Sequence, residues 1–242
     1  MKYELQTIPV WDAYEHGADC PLCYLEAKLE SDYQDFFLGN AVMAPEMRVE
    51  VNRIGFCAKH FDLLYRGSNR LGLGLMTQTY LAERSKRFAA ARRKLEKAAR
   101  AGSLRKAAKA RDTLLDTLAE EERSCMICSR LETAIANYAY TVLRLHATDT
   151  EFVEQFRASH GVCLPHLHTL LEVAPHALSA GERAEFFVDL FETYDASVER
   201  LSADLEEMVG RYDHRATERV TEELKAAVPR AIEKLVGRFR RA

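Results

Sequence analysis

The sequence predicts an all-α protein: two tandem helical pseudo-repeats, each with a CxxC…CxxH metal site, joined by a basic helical hairpin. Three observations predict it. Gly and Pro number only 11 and 6 in 242 residues, while Ala, Leu, Glu and Arg, all good helix formers, are abundant. Apolar residues recur at three- and four-residue intervals along most of the chain. A four-ligand pattern also occurs twice. Cys20-Pro21-Leu22-Cys23 precedes Gly55-Phe56-Cys57-Ala58-Lys59-His60, and Cys125-Met126-Ile127-Cys128 precedes Gly161-Val162-Cys163-Leu164-Pro165-His166. Both read CxxC…GxCxxH, and together they use all six cysteines.

Each element has its own signal. A short opening segment through Trp11 and His16 places Trp11 in the core, under the first metal knuckle. After Cys23, the residues Leu25, Leu29, Tyr33, Phe36 and Phe37 mark a helix that stops at Gly39-Asn40. Pro45 opens a segment through Met47, Val51 and Ile54 to Gly55. A helix from about Cys57 carries Phe61, Leu63, Leu64 and Tyr65, and Gly67-Ser68-Asn69 reads as a turn. The next helix, from about Leu71, carries Leu75, Met76, Tyr80 and Leu81.

From Arg84 to Arg111 there are twelve Lys or Arg and one acid, Glu96, a net of +11; the remainder therefore carries −14, since the chain totals −3. Gly102-Ser103 reads as the tip of this helical hairpin, whose second arm runs through Leu114, Leu115 and Leu118 to Glu120-Glu121-Glu122. The second copy then repeats the plan. Leu131, Ile135, Tyr138 and Val142 follow its CxxC, and Phe152, Val153 and Phe156 mark the next segment. Leu167, Leu170 and Leu171 follow Cys163, with a loop expected around Pro175 and a helix through Phe186, Phe187, Leu190 and Tyr194. In the tail, Val220, Leu224, Val228, Ile232, Leu235 and Phe239 lie near helical spacing, with Pro229 bending or restarting the helix. The segments are therefore residues 1–83, 84–122, 123–210 and 211–242. Leu25-Glu26 matches Leu131-Glu132, and Gln78-Thr79-Tyr80 resembles Glu192-Thr193-Tyr194. An internal duplication of a helical metal-binding unit accounts for these matches.

Cys thiolates and His imidazole are the ligands of tetrahedral zinc. At the start of a helix, positions i and i+3 lie on one face, so the two groups of CxxC or CxxH converge. Pro165 suits a first helical turn, and thiolates near helix N-termini are favoured by the dipole. Cys57 follows Cys23 by 34 positions and Cys163 follows Cys128 by 35. The expected ligands are Cys20, Cys23, Cys57 and His60 for one ion, and Cys125, Cys128, Cys163 and His166 for the other. Closure within each copy is the simple assumption; counting equally allows the CxxC of one copy to pair with the CxxH of the other. A Cys3His shell leaves no open coordination position, the mark of a structural zinc site.

Other chemistries compete. The opening residues Met1-Lys2-Tyr3-Glu4-Leu5 lead into no apolar run, so no secretory leader is expected. A reducing, cytoplasmic compartment then favours metal over disulfides. A thioredoxin-like redox pair needs a βαβ pattern that is not seen. An iron–sulfur cluster held by three Cys and one His is the alternative cofactor to two zinc ions. His168 lies close enough to His166 to serve as a supporting partner or alternative ligand, although an exposed helix position is the simpler reading. His16, His146, His160, His176 and His214 have no counterpart in the other copy and read as surface or core residues.

The metal motifs, together with Met43-Ala44-Pro45-Glu46-Met47-Arg48, Asn52-Arg53-Ile54-Gly55-Phe56-Cys57 and Leu75-Met76-Thr77-Gln78-Thr79-Tyr80-Leu81, resemble DUF6062, a bacterial family of unknown function. The resemblance covers about residues 5–210. It implies an all-helical duplicated fold and lends no activity.

Hydrophobic residues make up 48% of the chain, enough for a sizeable core. No apolar run reaches the roughly 18 residues of a membrane span. With a net charge of −3, the whole chain is not a nucleic-acid binder by composition. The basic stretch 84–111 is either a solvated hairpin or a docking arm for an acidic protein, a nucleic acid or an anionic surface. Only Phe88 is aromatic there, which argues against base stacking. No nucleophile–base pair, phosphate-binding glycine loop or carboxylate pair stands out. The expected function is a non-enzymatic, cytoplasmic zinc protein acting as an interaction or regulatory module. A thiol-based redox sensor and an iron–sulfur protein or metalloenzyme are the alternatives.

Overall fold

The structure, a computed structural model, describes residues 6–212 and 221–238. Val220, Phe239 and His214 lie outside that set. The described chain is helical, with no strand among the described residues. Its helices are α1 (Ile8–Glu15), α2 (Pro21–Leu38), α3 (Asn40–Met43), α4 (Pro45–Ile54), α5 (Ala58–Arg66), α6 (Arg70–Arg100) and α7 (Leu104–Arg123). They continue with α8 (Met126–Thr148), α9 (Thr150–Ala158), α10 (Leu164–Ala177), α11 (Ala180–Gly210), α12 (Glu222–Lys225) and α13 (Ala227–Val236). None of the described helices is long and apolar enough to cross a membrane.

Two compact units are formed. One comprises residues 1–28 with 133–242, the other residues 29–132. The chain leaves the first unit within α2 and returns to it within α8.

The core of the first unit is aromatic. Trp11 meets Phe152 edge-on with ring centroids 5.2 Å apart, and Tyr14 stacks on Phe156 at 5.8 Å. Phe152, Phe156 and Phe186 are fully buried. His146, one of the histidines without a counterpart, belongs to this core. Its Nε2 lies 2.8 Å from Asp189 Oδ2, while Arg157 Nε donates to Asp189 Oδ1 at 2.8 Å. Burial would raise the Asp189 carboxyl, but the hydrogen bonds from Arg157 and His146 outweigh it and hold it below the usual carboxylate range.

The second unit packs Phe37, Val42, Val51, Phe56, Leu64 and Met76 against Met126, Ile127 and Leu131 of α8. Its long hairpin, α6 and α7, turns at Gly102 as expected (φ +65°). Asn69 caps α6 by accepting from the Gly72 amide.

Pro175 corrects one expectation. It lies inside α10, which continues to Ala177, and no loop surrounds it. A proline this near a helix end disrupts little of the remaining hydrogen-bond ladder. The break falls instead at Leu178-Ser179, where Ser179 and Glu182 form a reciprocal capping box that starts α11. Pro229 sits in the first turn of α13, where the tail helix restarts after α12.

Candidate metal centres

All four ligand pairs share one local design. Cys57 occupies the N-cap of α5 (φ −74°, ψ 168°) and Cys163 that of α10 (φ −74°, ψ 163°), with His60 and His166 in the first turns. Cys20 immediately precedes α2 and Cys125 immediately precedes α8. In each case the carbonyl of the leading cysteine accepts the first helical hydrogen bond, at 2.8–3.2 Å. The second ligand, three residues on, therefore projects from the same end of the helix as the first. Each sulfur also sits at a positive helix terminus, which favours thiolate.

Two glycines let the chain enter these helices. Gly55 and Gly161 each stand two residues before the leading Cys of CxxH, with φ of +75° and +66°. A Cβ on Gly55 would come within 2.3 Å of the Tyr80 ring, and one on Gly161 within 3.0 Å of the Thr193 carbonyl oxygen. Gly is required on both counts.

The eight residues converge as two groups of four, and the groups are crossed. Cys20 and Cys23 join Cys163 and His166 in the first unit; Cys57 and His60 join Cys125 and Cys128 in the second. Each group takes one CxxC and one CxxH, but from opposite copies. Counting had left both arrangements open, and the assumption that each copy closes on itself is replaced by the crossed one.

Within the first group, Cys163 Sγ lies 3.7 Å from Cys20 Sγ and 3.5 Å from Cys23 Sγ. His166 Nδ1 lies 3.4, 3.4 and 3.2 Å from the sulfurs of Cys20, Cys23 and Cys163. In the second group, His60 Nδ1 lies 3.3, 3.2 and 3.3 Å from the sulfurs of Cys57, Cys125 and Cys128, and the Cys57 and Cys128 sulfurs are 3.8 Å apart. Every ligand atom of a group lies within 4.8 Å of the others.

Neighbouring thiols titrate in opposite directions. Burial would raise Cys125, but hydrogen bonds from His60 and from backbone amides bring it down to about 6. Cys128 is pushed up to about 12 by burial and by the charge of Cys125. In the first group, burial would raise Cys20, yet hydrogen bonds from Cys163, Cys23 and His166 hold it well below the ordinary thiol range. Cys23 is driven far up by Cys163 and Cys20. Burial would lower His166, and the sulfurs of Cys163 and Cys20 overcome it, lifting it to about 10. Three sulfurs this close can all ionise only around a cation.

The surroundings contain residues that the sequence did not single out. Glu30, almost fully buried on α2, places Oε1 3.0 Å from His60 Nε2 and also pairs with Lys59 at 2.8 Å. This fixes the His60 tautomer with Nδ1 facing the sulfurs, the usual carboxylate support of a metal-bound histidine. A lone Glu in an amphipathic helix, 30 residues from its histidine, gives no sequence signal. Lys234 of α13 is 4% exposed, and its Nζ donates to the carbonyls of His160 (2.8 Å) and Val162 (3.2 Å) on either side of Gly161. In the second unit the equivalent loop is held differently: the Met126 amide donates to the Gly55 carbonyl at 2.9 Å, and Ser124 Oγ to that of Ile54 at 2.8 Å. His168 is not part of either group; it is exposed, with Nδ1 3.4 Å from Glu172.

The groups also differ in access. Cys20, Cys163 and His166 are buried, whereas Cys128 of the second group is exposed.

No curated protein and no solved structure matches the chain. The model of a family of unknown function, DUF6062, matches residues 1–242, beyond the span over which the sequence motifs suggested it. With two metal-capable Cys3His groups in an all-helical chain, this protein belongs to the DUF6062 family.

Proposed function

We propose that each group binds one zinc ion as a closed structural site, and that the metals hold together a non-enzymatic docking protein. The carrying observation is the spacing of the ligand atoms. A tetrahedral ion at ordinary Zn–S and Zn–N bond lengths separates sulfurs by ~3.8 Å and sulfur from nitrogen by ~3.6 Å. The separations of 3.5–3.8 Å and 3.2–3.4 Å agree with that. An iron–sulfur cluster, whose protein ligands sit on different irons of an inorganic core, would hold them further apart. Four protein ligands complete the shell and leave no position for substrate. Free thiols used as metal ligands suit a reducing compartment, hence a cytoplasmic location. The basic hairpin supplies a surface for an acidic partner.

The duplication reading is supported by matched hydrogen bonds. Thr79 Oγ1 donates to the carbonyls of Leu75 and Met76, and Thr193 Oγ1 to those of Asp189 and Leu190. These Thr residues precede Tyr80 and Tyr194 in the corresponding helices of the two copies.

Elemental analysis of anaerobically purified protein, with an absorbance spectrum, tests the metal assignment. Two zinc per chain and no visible absorbance are expected. Iron with inorganic sulfide and a brown colour would refute it.

Exposed Cys128 favours a second reading, in which the metal of the second unit is redox-labile. Peroxide oxidises an accessible thiolate to sulfenic acid, and a neighbouring thiolate then displaces hydroxide to form a disulfide. Cys57, 3.8 Å from Cys128, is placed for that step. Mild peroxide should then release one zinc well before the other, and a Cys57–Cys128 disulfide should form in step with that early release, as peptide mass mapping would show. Release of both ions together would exclude this reading.

A further inference from the structure

The basic hairpin keeps most of its charge uncommitted. Arg92, Arg93, Lys94, Lys97 and Arg100 on α6, and Arg105, Lys106, Lys109 and Arg111 on α7, are all exposed. Arg92 pairs with Glu96 and Arg111 with Asp112. The other seven have no ion pair among the described residues. Nearer the base, Glu121 already takes both Arg84 (2.8 Å) and Arg87 (3.2 Å). The free cations are therefore concentrated in the outer part of the hairpin.

Charge also separates between the compact units. Residues 29–132 hold 19 Lys and Arg against 14 Asp and Glu, a net of +5, so the remainder of the chain carries −8. The unit that bears the hairpin is therefore net basic although the whole chain is net acidic.

We propose that this hairpin docks on the phosphate backbone of duplex nucleic acid. The inference rests on the docking reading above and names its partner class. Three features favour a duplex. The cations run along both arms, as a linear polyanion requires, and the α6 arm from Arg84 to Arg100 extends about 25 Å at the helical rise per residue. Arg92, Arg93 and Lys94 are consecutive and so spread their charge around α6, unlike the one-sided charge of a helix that lies in a membrane surface. The absence of aromatics other than Phe88 from the stretch removes the stacking groups that single strands use. Contact is through phosphates, so binding is independent of sequence and strongly salt-dependent.

The test is fluorescence anisotropy of a labelled duplex DNA of about 20 base pairs with the zinc-loaded full chain, over a potassium chloride series. About half of the exposed cations can face one duplex. Log affinity should therefore fall with log salt at a slope of about −4, with micromolar to submillimolar dissociation constants near physiological salt. The variant Lys94→Gln/Lys97→Gln/Arg105→Gln/Lys106→Gln removes only exposed, unpaired charges and keeps good helix formers. It should weaken binding at least about tenfold and flatten the slope. Its zinc content and circular dichroism report separately on the metal reading and should stay unchanged. No duplex binding at low salt, or binding equal in the variant, overturns the proposal. So does tighter association with phosphatidylserine vesicles or polyglutamate than with the duplex.

Discussion

The double variant Cys20→Ser/Cys57→Ser is expected to retain no tightly bound metal, whereas Cys20→Ser/Cys163→Ser is expected to keep one ion per chain. The contrast follows from the crossed groups. Cys20 and Cys163 belong to one site, so losing both damages one site twice; Cys20 and Cys57 belong to different sites, so losing both damages each. If each copy closed on itself, the two results would be exchanged. Serine is a poor substitute because its hydroxyl stays protonated and does not offer the soft anionic donor zinc prefers. The effect on folding should be large. Structural zinc contributes roughly 10–16 kcal/mol in small metal domains, while whole domains are stable by only about 5–15 kcal/mol. A metal in each group would also tie together helix starts that have no other covalent link among the described residues. Cys20→Ser/Cys163→Ser should therefore unfold residues 1–28 and 133–242 preferentially and leave amide protection in residues 29–132. Hydrogen exchange read by mass spectrometry, alongside metal analysis, checks both halves of the expectation.

Gly55→Ala should destabilise the protein by about 3 kcal/mol and loosen the metal group of the second unit. Two costs combine. A Cβ at φ +75° is intrinsically unfavourable by about 1–2 kcal/mol. The same Cβ meets Tyr80 Cζ and the Tyr80 hydroxyl at 2.3 Å, and that ring is buried. Any shift is felt at the metal ligands, because Cys57 lies two residues on and the Gly55 carbonyl accepts from Met126, next to Cys125. The double variant with Tyr80→Ala separates the terms. Removing the ring should recover the steric part, leaving a favourable coupling of about 1–2 kcal/mol, while the backbone cost persists. Strict additivity in chemical denaturation would mean that the Tyr80 ring does not set the requirement for glycine. Gly161→Ala should be milder, since its nearest contact is at 3.0 Å.

Much of this was legible in local sequence because the information is local. A CxxC or CxxH at a helix start aims two side chains together through the geometry of one turn, so the eight residues that converge into two groups could be picked out before any packing was known. The long uninterrupted helices, the turn at Gly102 and the restart at Pro229 likewise depend on neighbours within a few residues. Pro175 was misleading because proline usually ends a helix, while the stronger start signal, Ser179 with Glu182, lay just beyond it.

What only the tertiary structure decided is which ends meet. The two linking segments are nearly equal in length and the four pairs are chemically alike, so spacing does not distinguish closure within a copy from crossing between copies. Packing does: Phe37, Phe56, Leu64 and Met76 bury themselves against Met126, Ile127 and Leu131 at the start of α8, and this brings Cys125 and Cys128 to Cys57 and His60. The support of His60 by Glu30, the buried Lys234 behind the Cys163 loop and the exposure of Cys128 have the same origin. They arise from residues far apart in sequence, brought together by the burial of apolar surface, and no short-range pattern encodes them.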